Sequence, residues 1–200
     1  METDKLTAEK IVAEALELLQ ECGIERMSMR QLARRLSIRA PTLYWYFPDK
    51  AAILRAVIKT LFERAVSTVP PTSTWQDWMR GFGAAIWQMN KEVPYTPLLL
   101  RSPDANNAEV FEFVMKRIDA KMKVFDVDMK RYARAHSDVQ AFVLGWSVFA
   151  HSDIAPKVES LVDLDTAVLE GVDMIVRYWE DRLSDVPPPQ DQGLPATARS

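Results

Sequence analysis

The sequence predicts an all-α fold, a three-helix head followed by a larger helical body, and three observations predict it. Apolar residues recur at spacings of three and four along most of the chain, prolines and capping residues interrupt the recurrence at points suited to helix ends, and no stretch alternates apolar with polar residues as a strand would. With 200 residues, 48% hydrophobic and 26% charged, the chain can bury the core of one or two small domains, which argues against a disordered or fibrous protein.

The first helix carries Ile11, Ala15, Leu18, Leu19 and Cys22 on one face, with Thr7 as N-cap and Gly23 as the stop. Ser28 and Gln31 make a capping pair that opens a short second helix, in which Leu32, Ala33 and Leu36 turn inward. Ser37 and Ile38 form a break. A third helix begins near Arg39, because Pro41 is tolerated only in a first turn, and Pro48 closes it. Within it Leu43 and Phe47 lie one turn apart and pack inward, while Thr42, Tyr44 and Tyr46 face outward. Trp45, like Phe47, is given more readily to the interior than Tyr44.

Asp49 caps a fourth helix with inward positions at Ile53, Leu54, Val57, Leu61, Phe62 and Ala65, ending before Pro70-Pro71. Thr74 with Asp77 opens a fifth, whose stripe is Trp75, Trp78, Met79, Phe82, Ile86 and Met89; Pro94 and Pro97 then predict a short kinked segment. Three more stripes follow: Phe111, Val114, Met115, Ile118, Met122 and Phe125; Tyr132, Val139, Phe142, Val143, Trp146 and Phe149; and Val168, Val172, Ile175, Val176, Trp179 and Leu183. The division expected is a head over 1–50, a body over 51–184 and a disordered tail over 185–200, where Pro187-Pro188-Pro189 stands.

The formal net charge of -3 hides a segregation. Residues 26–59 hold Arg26, Arg30, Arg34, Arg35, Arg39, Lys50, Arg55 and Lys59 against Asp49 alone, a window of +7, so the remainder carries -10. Such a distribution draws a polyanion to one region and repels it elsewhere. Three short helices with a tight break before the third, inside a basic window, suit a helix-turn-helix whose third helix enters the major groove of DNA; on spacing and charge alone a small helical bundle with a solvated basic face is the alternative.

Ser28-Met29-Arg30-Gln31-Leu32-Ala33, followed by Ala40-Pro41-Thr42-Leu43-Tyr44-Trp45-Tyr46-Phe47-Pro48-Asp49-Lys50, resembles the DNA-binding signature of the TetR family over about the first 65 residues. Carried over by position, the resemblance implies that Arg30 reaches a base or phosphate and that Arg39, Ala40, Pro41 and Thr42 form the groove-facing end of the third helix. Tyr44, Tyr46 and Lys50 would grip phosphates, the last with the positive end of the fourth helix behind it. The family uses glutamine where Ala40 stands and histidine where Tyr46 stands in its tetracycline-responsive subgroup, so the base sequence that is read cannot be inherited from it. The resemblance also implies a repressor, a palindromic operator, and a homodimer built on Val139, Phe142, Val143, Trp146, Val172, Ile175, Val176 and Trp179, stripes that a lone chain would leave in water. A ligand in the body would shift the stretch Asp49 to Ser67 and lower operator affinity.

The body is rich in Trp, Phe and Met, which suits a pocket for a small hydrophobic or aromatic effector; the candidates are Trp78, Phe82, Ile86, Met89, Asn90, Phe111, Met115, Met122, His136 and Trp146. Plain core packing is the alternative for each. His136 and His151 have no carboxylates at metal-ligand spacing, and no cofactor motif is present, so neither a metal nor a cofactor is expected. An enzyme is not expected either: Cys22, the only cysteine, falls on an apolar face, and no phosphate loop or nucleophile elbow occurs. The rival to a DNA-binding regulator is a helical small-molecule-binding module without DNA binding. The N-terminus lacks an apolar signal segment and no run of about 18 apolar residues exists, so a cytoplasmic protein is expected.

Overall fold

Capping side chains set the starts of the helices much as the sequence predicts. The computed structural model describes residues 5–102, 105 and 108–184; the expected tail over 185–200 lies outside them. Thr7, Ser28, Asp49 and Thr74 each accept a hydrogen bond from the backbone N–H three residues on, opening α1 (Ala8–Arg26), α2 (Met29–Arg35), α4 (Lys50–Thr68) and α5 (Trp75–Glu92). The uncapped α3 (Ala40–Tyr46) starts instead on a proline in its first turn. In the two pairs Ser28–Gln31 and Thr74–Asp77 the capping hydroxyl also donates back to the partner's side chain, at 2.8 Å in both.

The chain continues through α6 (Thr96–Arg101), α7 (Ala108–Met122), a single 3-10 turn at Lys123–Phe125, α8 (Met129–Ala150), α9 (Ala155–Glu159) and α10 (Leu164–Ser184). No strand occurs among the described residues. Gly23 does not end α1 but kinks it, with φ 74° and ψ 171°, a conformation that a side chain would strain. The α2–α3 turn is closed by Ser37 at φ 55° and by the Ile38 N–H donating to Ala33 O at 3.0 Å.

Two hydrophobic cores share α4. Ile11, Leu19, Leu32, Leu43, Ile53 and Val57 form the first, which Tyr95, Leu99 and Val110 extend beneath the body, whereas Phe62 and Ala65 at the far end of α4 enter the second with the aromatics of α5. A hydrogen bond from the Tyr95 hydroxyl to Leu16 O, 2.9 Å and buried, ties the start of α6 directly to α1. Burial holds the Tyr95 phenol neutral, pushing its pKa up to about 12.

α5 is the hub of the body, packed against α4, α8 and α10. That explains two residues outside its predicted stripe. Trp87 is buried and donates its indole N–H to Asp165 at 2.7 Å, and Asn90 is buried and donates to Ser147 Oγ on α8 at 2.8 Å. Glycine lets the helices approach closely: a Cβ on Gly83 would stand 2.8 Å from Val172, and one on Gly171 would enter the Phe142 ring.

The expected dimer stripes need correction. Val139, Val143, Val172 and Val176 are fully buried between α5, α8 and α10 of one chain, so they are not available to a second copy. Of the expected residues Phe142 and Trp146 do lie in an outer groove of α8, with Phe149 beside them, and the exposed apolar residues of α10 are Met174 and Tyr178 rather than its buried valines. The face was misassigned because α10 packs along α8 within the chain, which uses the more regular half of each stripe.

Candidate nucleic-acid interface and ligand cavity

α3 is anchored by one side chain. Leu43 is completely buried against the first core, and Phe47 just past the helix end completes the anchor, while every other residue of the helix is exposed or half-exposed. Burying one such leucine contributes about 1.5–3 kcal/mol toward holding the helix on the first core. Pro41, Thr42 and Tyr44 are thereby displayed on the outside, with Arg39 exposed and Ala40 half-buried at the entrance. Arg30, near the start of α2, and Arg34 are exposed as well.

Trp45 corrects the sequence reading. It is 89% exposed, more than any other large hydrophobic residue described, and stands beside Tyr44 and Tyr46 on the outer face. A signal was present: if Leu43 and Phe47 point inward, a residue two positions after Leu43 lies on the opposite side. An indole this exposed has a face free to lie against sugar or base.

Two of the expected phosphate grips already hold partners. The Tyr46 hydroxyl donates its one proton to Leu6 O at 2.9 Å, so it can donate to phosphate only after that bond opens. The Lys50 ammonium donates to Ile24 O at 2.5 Å, just past the Gly23 kink, and keeps two further protons.

The basic window is also less uniform than its sum suggests. Arg35 is clamped by Glu14, Glu17 and Glu21 along α1, and Arg55 and Lys59 both reach Glu109 on α7, at 3.1 and 2.6 Å. Glu109 accordingly has its carboxyl pKa lowered, chiefly by the Lys59 hydrogen bond. Arg30, Arg34 and Arg39 therefore carry the positive field near α3, joined by Lys50 at its far end.

Between α4, α5, α6, α7 and α8 lies a cavity of about 370 Å³. Of the ten residues nominated from the sequence, Ile86, Met89, Phe111, Met115 and His136 line it. The other five do not. Trp78 and Phe82 stack on each other with ring centroids 5.2 Å apart, deep in the second core; Met122 is fully buried in the same cluster, and Asn90 bonds to Ser147. Trp146 lies in an outer groove with Phe142 and Phe149. Trp78, Phe82, Met122 and Trp146 follow a helical stripe as faithfully as the others, and only the packing between helices separates core and outer groove from wall.

Sequence reasoning missed the polar wall: Thr96, Ser137 and Gln140. His136 is 5% exposed, packs on Phe82 with ring centroids 5.0 Å apart, and has no protein partner for Nε2; burial pushes its pKa down to about 4, so it is neutral near pH 7. Gln140, one turn on, likewise has a buried Oε1 without a protein partner. Among the described residues no group of three His, Cys, Asp or Glu side chains is placed to hold a metal, and no helix is long and apolar enough to cross a membrane.

The class this architecture defines is a helix-turn-helix protein with a helical, cavity-bearing body. Residues 11–57 match the family described as bacterial regulatory proteins, tetR family. The tetracycline repressor protein class C of Escherichia coli is 35% identical over 80 residues, which span 39% of this chain and 36% of the repressor. An HTH-type transcriptional regulator of Saccharopolyspora erythraea is 33% identical over 94 residues, 47% of this chain and 40% of that protein. The chain thus matches little more than a third of the length of such relatives. The whole chain is similar in fold to a single-substitution variant of TetR from Acinetobacter baumannii in complex with minocycline, with TM-score 0.67, 24% identity, and coverage of 90% of this chain and 100% of that one. It is similar also to a TetR from Streptomyces coelicolor, with TM-score 0.66, 21% identity, and coverage of 88% and 98%. The tetR-family match is thus confined to residues 11–57, and the likeness of the rest of the chain to the solved TetR structures is one of fold.

Proposed function

We propose that this chain is a ligand-responsive, DNA-binding transcriptional regulator, a repressor that leaves a palindromic operator when a small hydrophobic or aromatic effector enters its body. One observation carries the reading: α3 is held by Leu43 and Phe47 and offers Pro41, Thr42, Tyr44 and Trp45 to the outside beside Arg30 and Arg39. A helix that buried its aromatics would serve packing; one that exposes them among arginines suits a groove.

The reading includes a homodimer joined through the outward faces of α8 and α10, where Phe142, Trp146, Phe149, Met174 and Tyr178 leave apolar surface for a second copy to cover. The division into a DNA-reading unit over 1–50 and a regulatory unit over 51–184 is functional, because α4 packs in both cores. α4 also lines the cavity at Ile58, Leu61 and Phe62, so a ligand touches the helix that follows α3. A ligand that prefers the released state a hundredfold supplies about 2.7 kcal/mol toward release.

The test is fluorescence anisotropy with a labelled duplex from the region upstream of the protein's own gene. Log affinity should fall linearly with log salt, by about 0.9 per phosphate contacted. Lys50→Ala should weaken binding to all duplexes alike and flatten that slope by about one unit per head. A flat salt response would remove the DNA-binding reading.

A further inference from the structure

We infer that the cavity between α4 and α8 selects an uncharged, mostly apolar molecule bearing a hydroxyl or other hydrogen-bond donor, and that it rejects carboxylates. The inference rests on the ligand-responsive reading above and names the class of molecule that the site would take.

A volume of about 370 Å³ admits a molecule of two or three rings, and Phe62, Ile86, Met89, Phe111, Val114 and Met115 supply an apolar wall. No Asp, Glu, Lys or Arg stands on that wall among the described residues. An anion seated on the inner wall would lose part of its water and meet no countercharge, a transfer that proteins avoid by excluding the ion or neutralising it. His136 does not answer that need, because burial keeps its imidazole neutral.

The polar groups narrow the choice further. The Thr96 hydroxyl donates to Val93 O and the Ser137 hydroxyl to Ala133 O, each at 2.8 Å, so both side chains turn only lone pairs toward a guest. Gln140 Oε1 can only accept, and it has no protein partner. His136 Nε2, also without a protein partner, sits one helical turn away on the same face of α8 and either donates or accepts according to tautomer. Three of the four polar wall groups thus offer acceptors, and of these only Gln140 adds a donor, its amide Nε2. A hydroxyl suits them: it gives its proton to Gln140 and keeps lone pairs for His136 in its donating tautomer. An ether or ketone leaves the Gln140 acceptor unmatched, and a buried unmatched acceptor is costly.

Three matched probes test this on the full chain: 4-phenylphenol, 4-methoxybiphenyl and biphenyl-4-carboxylate, titrated by calorimetry at pH 7.5. The phenol should bind, the methyl ether should bind roughly tenfold more weakly, and the carboxylate should give no measurable heat. Gln140→Leu should bring the phenol down to the ether's affinity and leave the ether unchanged; Gln140→Met serves if the leucine variant does not fold. A carboxylate that binds as well as the phenol, an ether that equals it, or silence from all three would overturn the inference. Anisotropy of the labelled upstream duplex, read in parallel, separates the two claims. A bound phenol that leaves the DNA complex intact counts against ligand response and spares the cavity chemistry, whereas a carboxylate that binds and releases DNA does the reverse.

Discussion

Acidification from pH 7.5 to 5.0 should cost this protein about 2 kcal/mol of stability through one side chain, His136. The imidazole is 5% exposed, its nearest rings are Phe82 and Tyr132, and burial lowers its pKa from 6.5 to about 4. The Tyr132 phenol is itself driven strongly upward by burial, so it stays neutral and offers no charge to offset a proton on the histidine. A proton is therefore taken up by the unfolded chain before the folded one. Stability is complete above about pH 6.5, falls as pH drops through the interval down to 4, and has lost about 3 kcal/mol once the lower end is reached. Urea unfolding followed by circular dichroism at pH 7.5, 6.0 and 5.0 measures the loss, with His136→Phe as the non-titrating reference; acids elsewhere titrate in both proteins and cancel. The gap between the two should change by about 2 kcal/mol in favour of the variant on going to pH 5.0. A gap that stays constant within about 0.5 kcal/mol would mean that the histidine is solvated, and the cavity chemistry built on its neutrality would fall with it.

Gly83→Ala should lower stability by about 1–3 kcal/mol, read from the urea midpoint, because the new methyl would press on Val172 at 2.8 Å and on Val139 at 3.3 Å; an unchanged midpoint would mean that α5 and α10 separate without cost. Tyr95→Phe should cost about 0.5–1.5 kcal/mol by removing the bond to Leu16 O. The same variant should blunt the effect of a bound probe on DNA affinity, since Thr96 beside it lines the cavity; full coupling would exclude this tie from the route between cavity and head. Trp146→Asp and Met174→Asp, both on outward faces of α8 and α10, should convert a dimer to monomers in sedimentation equilibrium, and persistence of the dimer in both would move the interface elsewhere.

Helix starts were legible because a cap is a local device: Thr7, Ser28, Asp49 and Thr74 each act on a backbone group three residues away, with no reference to the rest of the fold. The inward anchor of α3 was legible for the same reason, since Leu43 and Phe47 need only one turn of helix to align. What the sequence left open is decided between helices. Trp78 and Met89 sit on one stripe of α5, yet the first is sealed in an aromatic stack and the second lines a cavity, because α5 meets α4, α8 and α10 at different points along its length. The same cause puts Val143 inside and Phe149 partly outside on α8. Charge was the least legible quantity. The window over 26–59 counted Arg35, Arg55 and Lys59 toward DNA, whereas their partners Glu14 and Glu109 come from outside that window and are brought near only by folding.

Selection of bound duplexes from a random-sequence pool addresses the central claim most directly, because it asks whether two copies of α3 read one double helix together. The account predicts enrichment of an inverted repeat whose half-sites lie about 34–36 Å apart, one turn of the duplex, with the enrichment lost in Thr42→Ala or Trp45→Ala proteins that remain folded. Recovery of no shared sequence, or of a single unrepeated site, would contradict it.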